Sequence, residues 1–345
     1  MHAPRPAATS SAMSKTLSIS IAARIAATAS MLCLATAAAG ELRIGMIGLD
    51  TSHVTAFTQL LNGTNAANHV AGGKVVAAFK GGSPDLPDSA NRVDGYAKEL
   101  VEKYGVKLYD SIPTMCQDVD VVMLESVDGR PHLAQARPVI EAGKRIFIDK
   151  PVAGSLKDAV EIFRLAKQHG VPCFSSSSLR YYPGLVELKA ASFGALRGAI
   201  STGPCPTEPH HPDMFWYGVH PTEALFAVMG AGCERVVRTH TDNTDIVTGT
   251  WANGTVGTVV GIRNATAPYR VTVFGEKAVI DQKPGGDYAP LVKEVMRFFE
   301  TGVAPVTPRE TLELFAFMEA ADESKRENGK PISIKETLAK AGYAP

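Results

Sequence analysis

Asp149, Lys150 and Pro151 form an acid–Lys–Pro triplet at the end of the apolar run "RIFID", Arg145 to Asp149. If that run is a parallel strand, the triplet lies at its carboxyl end, where open α/β sheets place their ligands. A lysine there can be partly desolvated, with a lowered pKa, and can share a proton with a substrate hydroxyl. The plain alternative is a solvated lysine that ends a strand. His220, in "YGVHPTEAL", is a second titratable candidate, and Glu223 follows it at helical spacing. Glu223 can supply His220 with a carboxylate or can be an ordinary helix-start acid complementing the dipole.

A third stretch, "IGMIGLDTSHVTAF" (Ile44 to Phe57), reads as strand, tight turn, helix. A dinucleotide-binding turn wants glycine for the bend, for close approach of the diphosphate and for helix-to-strand packing. Those places hold Gly48, Asp50 and His53, so only the first is kept. Asp50 sets a negative charge where a diphosphate would meet a helix N-terminus, and Ser52 can compensate as an N-cap or phosphate donor. At the end of the next strand Lys80, with Ser83, could hold a ribose 2′-phosphate, so NADP is as reasonable as NAD. The Gly-rich loop around it could equally be a flexible connection or contact substrate.

These residues need a scaffold, and the chain supplies an alternating one. Strands are expected at "LRIGMIG", Lys74–Phe79, Val119–Ser126, Arg145–Asp149 and "VPCFSS", with helices at Ser52–Leu61, Ala90–Tyr104, Pro131–Ala142 and Leu156–His169 between them. Buried strands separated by amphipathic helices imply parallel pairing with right-handed crossovers, hence an α/β fold with a doubly wound sheet over residues 40–178. After Tyr182 the pattern changes. Helices at Pro183–Ala190, Thr222–Met229, Ala289–Thr301 and Glu310–Asn328 accompany β-rich runs with Asn-Gly turn signals and a short final strand, "PISI". That composition predicts an α+β domain over 179–345 with a mostly antiparallel, open sheet.

The first 39 residues stand apart, carrying Arg5, Lys15 and Arg24, no acid, and an Ala-rich apolar run ending in Ala37 and Ala39. They read as a secretory signal peptide, so the protein is expected to be exported, in the periplasm, with a mature start near Gly40. Without that leader, 32 basic against 35 acidic residues leave a net charge of −3. Neither nucleic acid nor stable membrane insertion is expected. Cys116, Cys173, Cys205 and Cys233 have no CxxC spacing and are read as buried thiols. His210, His211 and Asp213 crowd the stretch before His220, but their spacing matches no metal site, and no metal is assigned.

From Leu42 onward the chain resembles the glucose-fructose oxidoreductase, inositol dehydrogenase and MocA family (Gfo/Idh/MocA). "RIGMIGLDTSH", "HLAQARPVIEAGKRIFIDKPVAGS", "YGVHPTEALFAVMG" and the tail from "FFETGVAPVTPRE" carry the match, the second being the most specific. The resemblance implies a Rossmann-like first domain, NAD or NADP, and a carbohydrate-like substrate. It also implies Lys150 as acid/base and His220 as its helper. Ser126 and His132 join Gly48, Asp50, Ser52, His53 and Lys80 as candidate cofactor residues. Arg180, Tyr181, Trp216 and Tyr217 are candidate substrate residues, the aromatics offering faces to a sugar ring. The family's usual Asp four residues before the histidine is replaced by Trp216. A second reading stays open: an exported lyase, hydrolase or sugar-binding protein on the same scaffold, without redox turnover. An uncovered face of the second sheet would favour a homo-oligomer.

Overall fold

The computed structural model describes residues 40–343; the expected leader lies outside the described residues. The first sheet holds β1 (Leu42–Ile47), β2 (Gly73–Phe79), β3 (Lys107–Tyr109), β4 (Val121–Leu124), β5 (Arg145–Asp149) and β6 (Cys173–Ser176) in the order β3-β2-β1-β4-β5-β6. Every pairing in it is parallel. Continuous burial of β4 explains its unbroken apolar run, since helices cover both faces of such a sheet.

Those helices are α1 (Ser52–Asn62), α2 (Pro87–Ala90), α3 (Val93–Tyr104), α4 (Ile112–Asp118), α5 (His132–Glu141) and α6 (Leu156–His169). Local chemistry sets their ends. Ser155 accepts a hydrogen bond from the Asp158 N–H at the start of α6, and Gly170 closes it in the left-handed region at φ +64°. The stretch expected as one helix from Ala90 is split into α2 and α3, with Asn91 and Arg92 between them.

The second half contains α7 (Pro183–Ala190), α8 (Val219–Met229), α9 (Ala289–Thr301), α10 (Pro308–Arg326) and α11 (Ile334–Lys340). Its seven-stranded sheet comprises β7 (Leu196–Pro204), β8 (Cys233–His240), β9 (Thr244–Trp251), β10 (Val256–Ile262), β11 (Arg270–Gly275), β12 (Val279–Asp281) and β13 (Ile332–Ser333). The order is β12-β11-β7-β10-β9-β8-β13, antiparallel except where β7 meets β10. Burial alternates along β9, because one face packs on α8 and α10 and the other is open.

One helix crosses between the halves. The sequence reading groups α9 with the second domain, yet its buried face, from Leu291 to Phe299, shares a core with Ile44, Val75, Phe147 and Phe174 of the first sheet. Phe298 meets Phe174 edge-on at 4.7 Å. This return fixes the loop before α9, and with it Tyr288, over the carboxyl end of the first sheet.

Candidate functional site

The β1–α1 turn keeps the bend that a phosphate-type turn needs. Gly48 lies at φ +81°, and a Cβ there would sit 2.0 Å from Ser126 Oγ, so no other residue fits. The helix cap is Thr51, which accepts from the His53 N–H, and this corrects the expectation for Ser52. Ser52 instead lies at the rim of a pocket.

That pocket, about 180 Å³, opens at the carboxyl ends of the first sheet. Lys150 and His53 line it from the first half; Tyr182, Trp216, Tyr217, His220 and Tyr269 line it from the second. The structure thus brings together Lys150, His220, His53, Ser52, Trp216 and Tyr217. Tyr182, like Trp216 and Tyr217 an aromatic with a face to offer a sugar ring, is also in the lining; Arg92, Tyr269 and Tyr288 join them with no signal in the sequence, each an isolated loop or helix-end residue whose position depends on tertiary packing.

Asp149 organises the floor. Its Oδ2 meets His53 Nδ1 at 2.6 Å and lies 3.9 Å from Lys150 Nζ. Burial alone would raise the Asp149 pKa, but the neighbouring His53 and Lys150 and the His53 hydrogen bond hold it down at about 2. Glu125, at the end of β4, is wholly buried, and neither carboxyl oxygen has a hydrogen-bond donor. Burial, and then the Asp149 charge, push its pKa well above the usual carboxylate range. His220 Nδ1 sits 2.9 Å from Ser177 Oγ. Burial, followed by the neighbouring Lys150 and His53, pushes His220 well below its ordinary value, leaving a neutral imidazole at pH 7.

Other expected site residues are placed elsewhere. Glu223 does not serve His220: its Oε1 accepts from Arg180 Nε at 2.6 Å and from Ser176 Oγ at 3.0 Å. Arg180 also pairs with Glu310 at 2.7 Å, so both candidates belong to a buried ion cluster behind the pocket. Tyr181 turns into the core shared with α9, and Tyr182 takes the pocket position. His132 is wholly buried, with Nε2 2.9 Å from the Ser126 carbonyl and Nδ1 3.3 Å from that of Val152; it braces two loops. Ser126 Oγ donates to Gln135 at 2.8 Å, and Lys80 pairs with Asp94 on the surface. His211 reaches Asp128 at 3.0 Å, His210 meets Glu208, and Asp213 holds Arg238 and Lys325, so these three do not converge.

A dinucleotide would lay its diphosphate across the β1–α1 turn. Asp50, at the second glycine place, is wholly buried there. It accepts from Ser89 Oγ at 2.6 Å and from the Val127 N–H at 2.9 Å, tying α2 and the loop after β4 to the turn. Ser83 donates to Asp128 at 2.6 Å beside it, and Arg130 joins Asp128 to Asp85. With this closure in place the residues do not fit a diphosphate; a dinucleotide requires it to open. The 180 Å³ beside Lys150 suits one six-membered ring, below the 300–1,000 Å³ usual for larger ligands.

Residues 42–177 match the profile of an oxidoreductase family with an NAD-binding Rossmann fold. A D-xylose dehydrogenase of Paenarthrobacter nicotinovorans is 32% identical over 106 residues, covering 30% of this chain and 27% of that protein. An inositol 2-dehydrogenase/D-chiro-inositol 3-dehydrogenase of Halalkalibacterium halodurans is 31% identical over 129 residues, 36% of this chain and 34% of that protein. The chain thus matches about a third of the length of these curated relatives. The crystal structure of myo-inositol 2-dehydrogenase from Lactobacillus plantarum superposes with a TM-score of 0.69 at 15% identity, over 85% of this chain and 99% of that one. Over residues 42–177, the chain is thus similar to the Gfo/Idh/MocA family of oxidoreductases.

Proposed function

We propose that the protein is an NAD(P)-dependent oxidoreductase acting on a sugar, polyol or related carbohydrate, with Lys150 as acid/base and His220 assisting. The observation that carries this reading is the pocket itself: Lys150, at the carboxyl end of a parallel strand, shares one ring-sized cavity with His220 from the other half. The relatives named as xylose and inositol dehydrogenases support the substrate class. Lys150 Nζ exchanges a proton with a substrate hydroxyl, and neutral His220 holds a second hydroxyl. Trp216, Tyr217 and Tyr269 supply ring faces.

The second reading, redox-neutral chemistry or binding in the same pocket, is favoured by the sealed Asp50. Heating the purified protein and examining the released small molecules by nicotinamide absorbance and mass separates the two, together with NAD+ and NADP+ assays on a polyol and aldose panel. Released or consumed nicotinamide supports the first; none under any condition supports the second.

Export follows from the leader, and intact mass of the secreted product reads it. A homo-oligomer follows from the open face of the second sheet, where Ile246 and Phe274 are exposed.

A further inference from the structure

The third glycine place of the β1–α1 turn lets a helix pack close to a strand. Here it carries an imidazole, and the surroundings hold that ring in one orientation. Phe57 stacks on it at 5.1 Å and 16°, and Tyr288 meets it edge-on at 4.7 Å. Its Nδ1 faces Asp149 at 2.6 Å, and both side chains are nearly sealed, 9% and 2% exposed. The ring nevertheless belongs to the pocket wall. We propose that His53 is a second proton-transfer residue of this pocket, with Asp149 as its orienting carboxylate. The inference rests on the reading of the pocket as one that acts on a polyol.

Three observations converge on it. The resemblance implies an Asp at the position of Trp216, and Trp216 packs against His211 at 4.9 Å, so no carboxylate serves the pocket from there. Glu223 is committed to Arg180. A carboxylate–imidazole pair is present all the same, built from β5 and α1. With Nδ1–H donated to Asp149, the lone pair lies on Nε2. A substrate O–H then breaks, its proton forms Nε2–H, and the electron pair stays on oxygen. Asp149 stabilises the imidazolium and does not take the proton, as in other carboxylate-oriented bases; the reverse step returns it.

Lys150 Nζ and His53 Nδ1 approach the same Asp149 oxygen, so two proton-handling groups fan out from one carboxylate into one cavity. The ligand class that meets both is a vicinal diol. The charged and titratable groups around His53 are Asp149 and Lys150 at the end of β5, Glu125 at the end of β4, His220 on α8, and Tyr288 before α9. Asp88 and Arg92 complete them at the rim.

The test is the tautomer. Long-range ¹H–¹⁵N spectra of the full chain, with His53 assigned among the nine histidines by His53→Gln, are expected to show Nδ1–H with a bare Nε2. In Asp149→Asn that single tautomer gives way to a mixture. An Nε2–H tautomer in the wild type, as a protonated Asp149 or a cation at Nδ1 would impose, overturns the proposal. Glutamine keeps a donor but cannot carry a proton. On any diol that the wild type turns over, His53→Gln is therefore expected to lose ~10²-fold or more in kcat with KM little changed and an altered pH profile. Full turnover with an unchanged profile also overturns the proposal. A wild type inactive on every polyol counts against the oxidoreductase reading, and the tautomer still decides this one.

Discussion

Ser89 Oγ donates to Asp50 Oδ2 at 2.6 Å, with both residues wholly buried. The two are 39 positions apart, and their contact ties α2 onto the turn where a diphosphate would lie. Burial raises the Asp50 pKa, and the hydrogen bonds from Ser89 and Val127 oppose that rise. Asp50→Gly removes the carboxylate and the tie together. NAD(P)H affinity is expected to tighten about tenfold, equivalent to about 1.4 kcal/mol, by fluorescence titration. Stability falls by about 1–3 kcal/mol, because a buried hydroxyl and N–H lose their acceptor. Unchanged affinity would show that this closure does not govern the groove.

Arg180 and Glu223 are a buried ion pair that the half-buried Glu310 joins, and this cluster is expected to support the fold rather than the ligand. Removing one partner of such a pair strands a charge, at a cost of about 3–5 kcal/mol. Glu223→Leu is expected to lower the urea midpoint accordingly and leave ligand affinity within about twofold. A stable variant that loses ligand binding would return Glu223 to the site.

Two buried histidines make stability depend on pH. His132 and His220 are both depressed below 6.5, burial being the main cause in each. The unfolded chain therefore binds more protons below about pH 6.5, and their contribution, complete above that pH, is lost as pH falls toward the folded values. Urea unfolding from pH 8 to 5 is expected to show a plateau and then a decline approaching about 1.4 kcal/mol per pH unit per histidine. His220→Gln should make the decline shallower; an unchanged slope would show that His220 is protonated in the folded state.

The sequence shows the first sheet well, because each buried strand is bounded by an amphipathic helix with its own caps. It does not show β3 or α4, whose three and seven residues are too short for a period to register. β7 carries no local signal because it pairs with the distant β10 and β11, and α9 crosses to the first sheet through contacts that are equally non-local. At the site, Lys150 and His220 are legible from their local surroundings. The His53–Asp149 contact spans 96 positions, and the Asp50–Val127 contact spans 77; nothing local signals either. Glu223 misled because spacing along a helix says nothing about Arg180, which arrives from another element.

The central claim is that Lys150 exchanges the substrate proton. Turnover by Lys150→Met, measured on a polyol or aldose that the wild type oxidises and with folding checked by urea midpoint, tests it most directly. Lys150→Met is expected to lose ~10²-fold or more in turnover with its fold intact. Near wild-type turnover in a folded Lys150→Met protein would contradict the account.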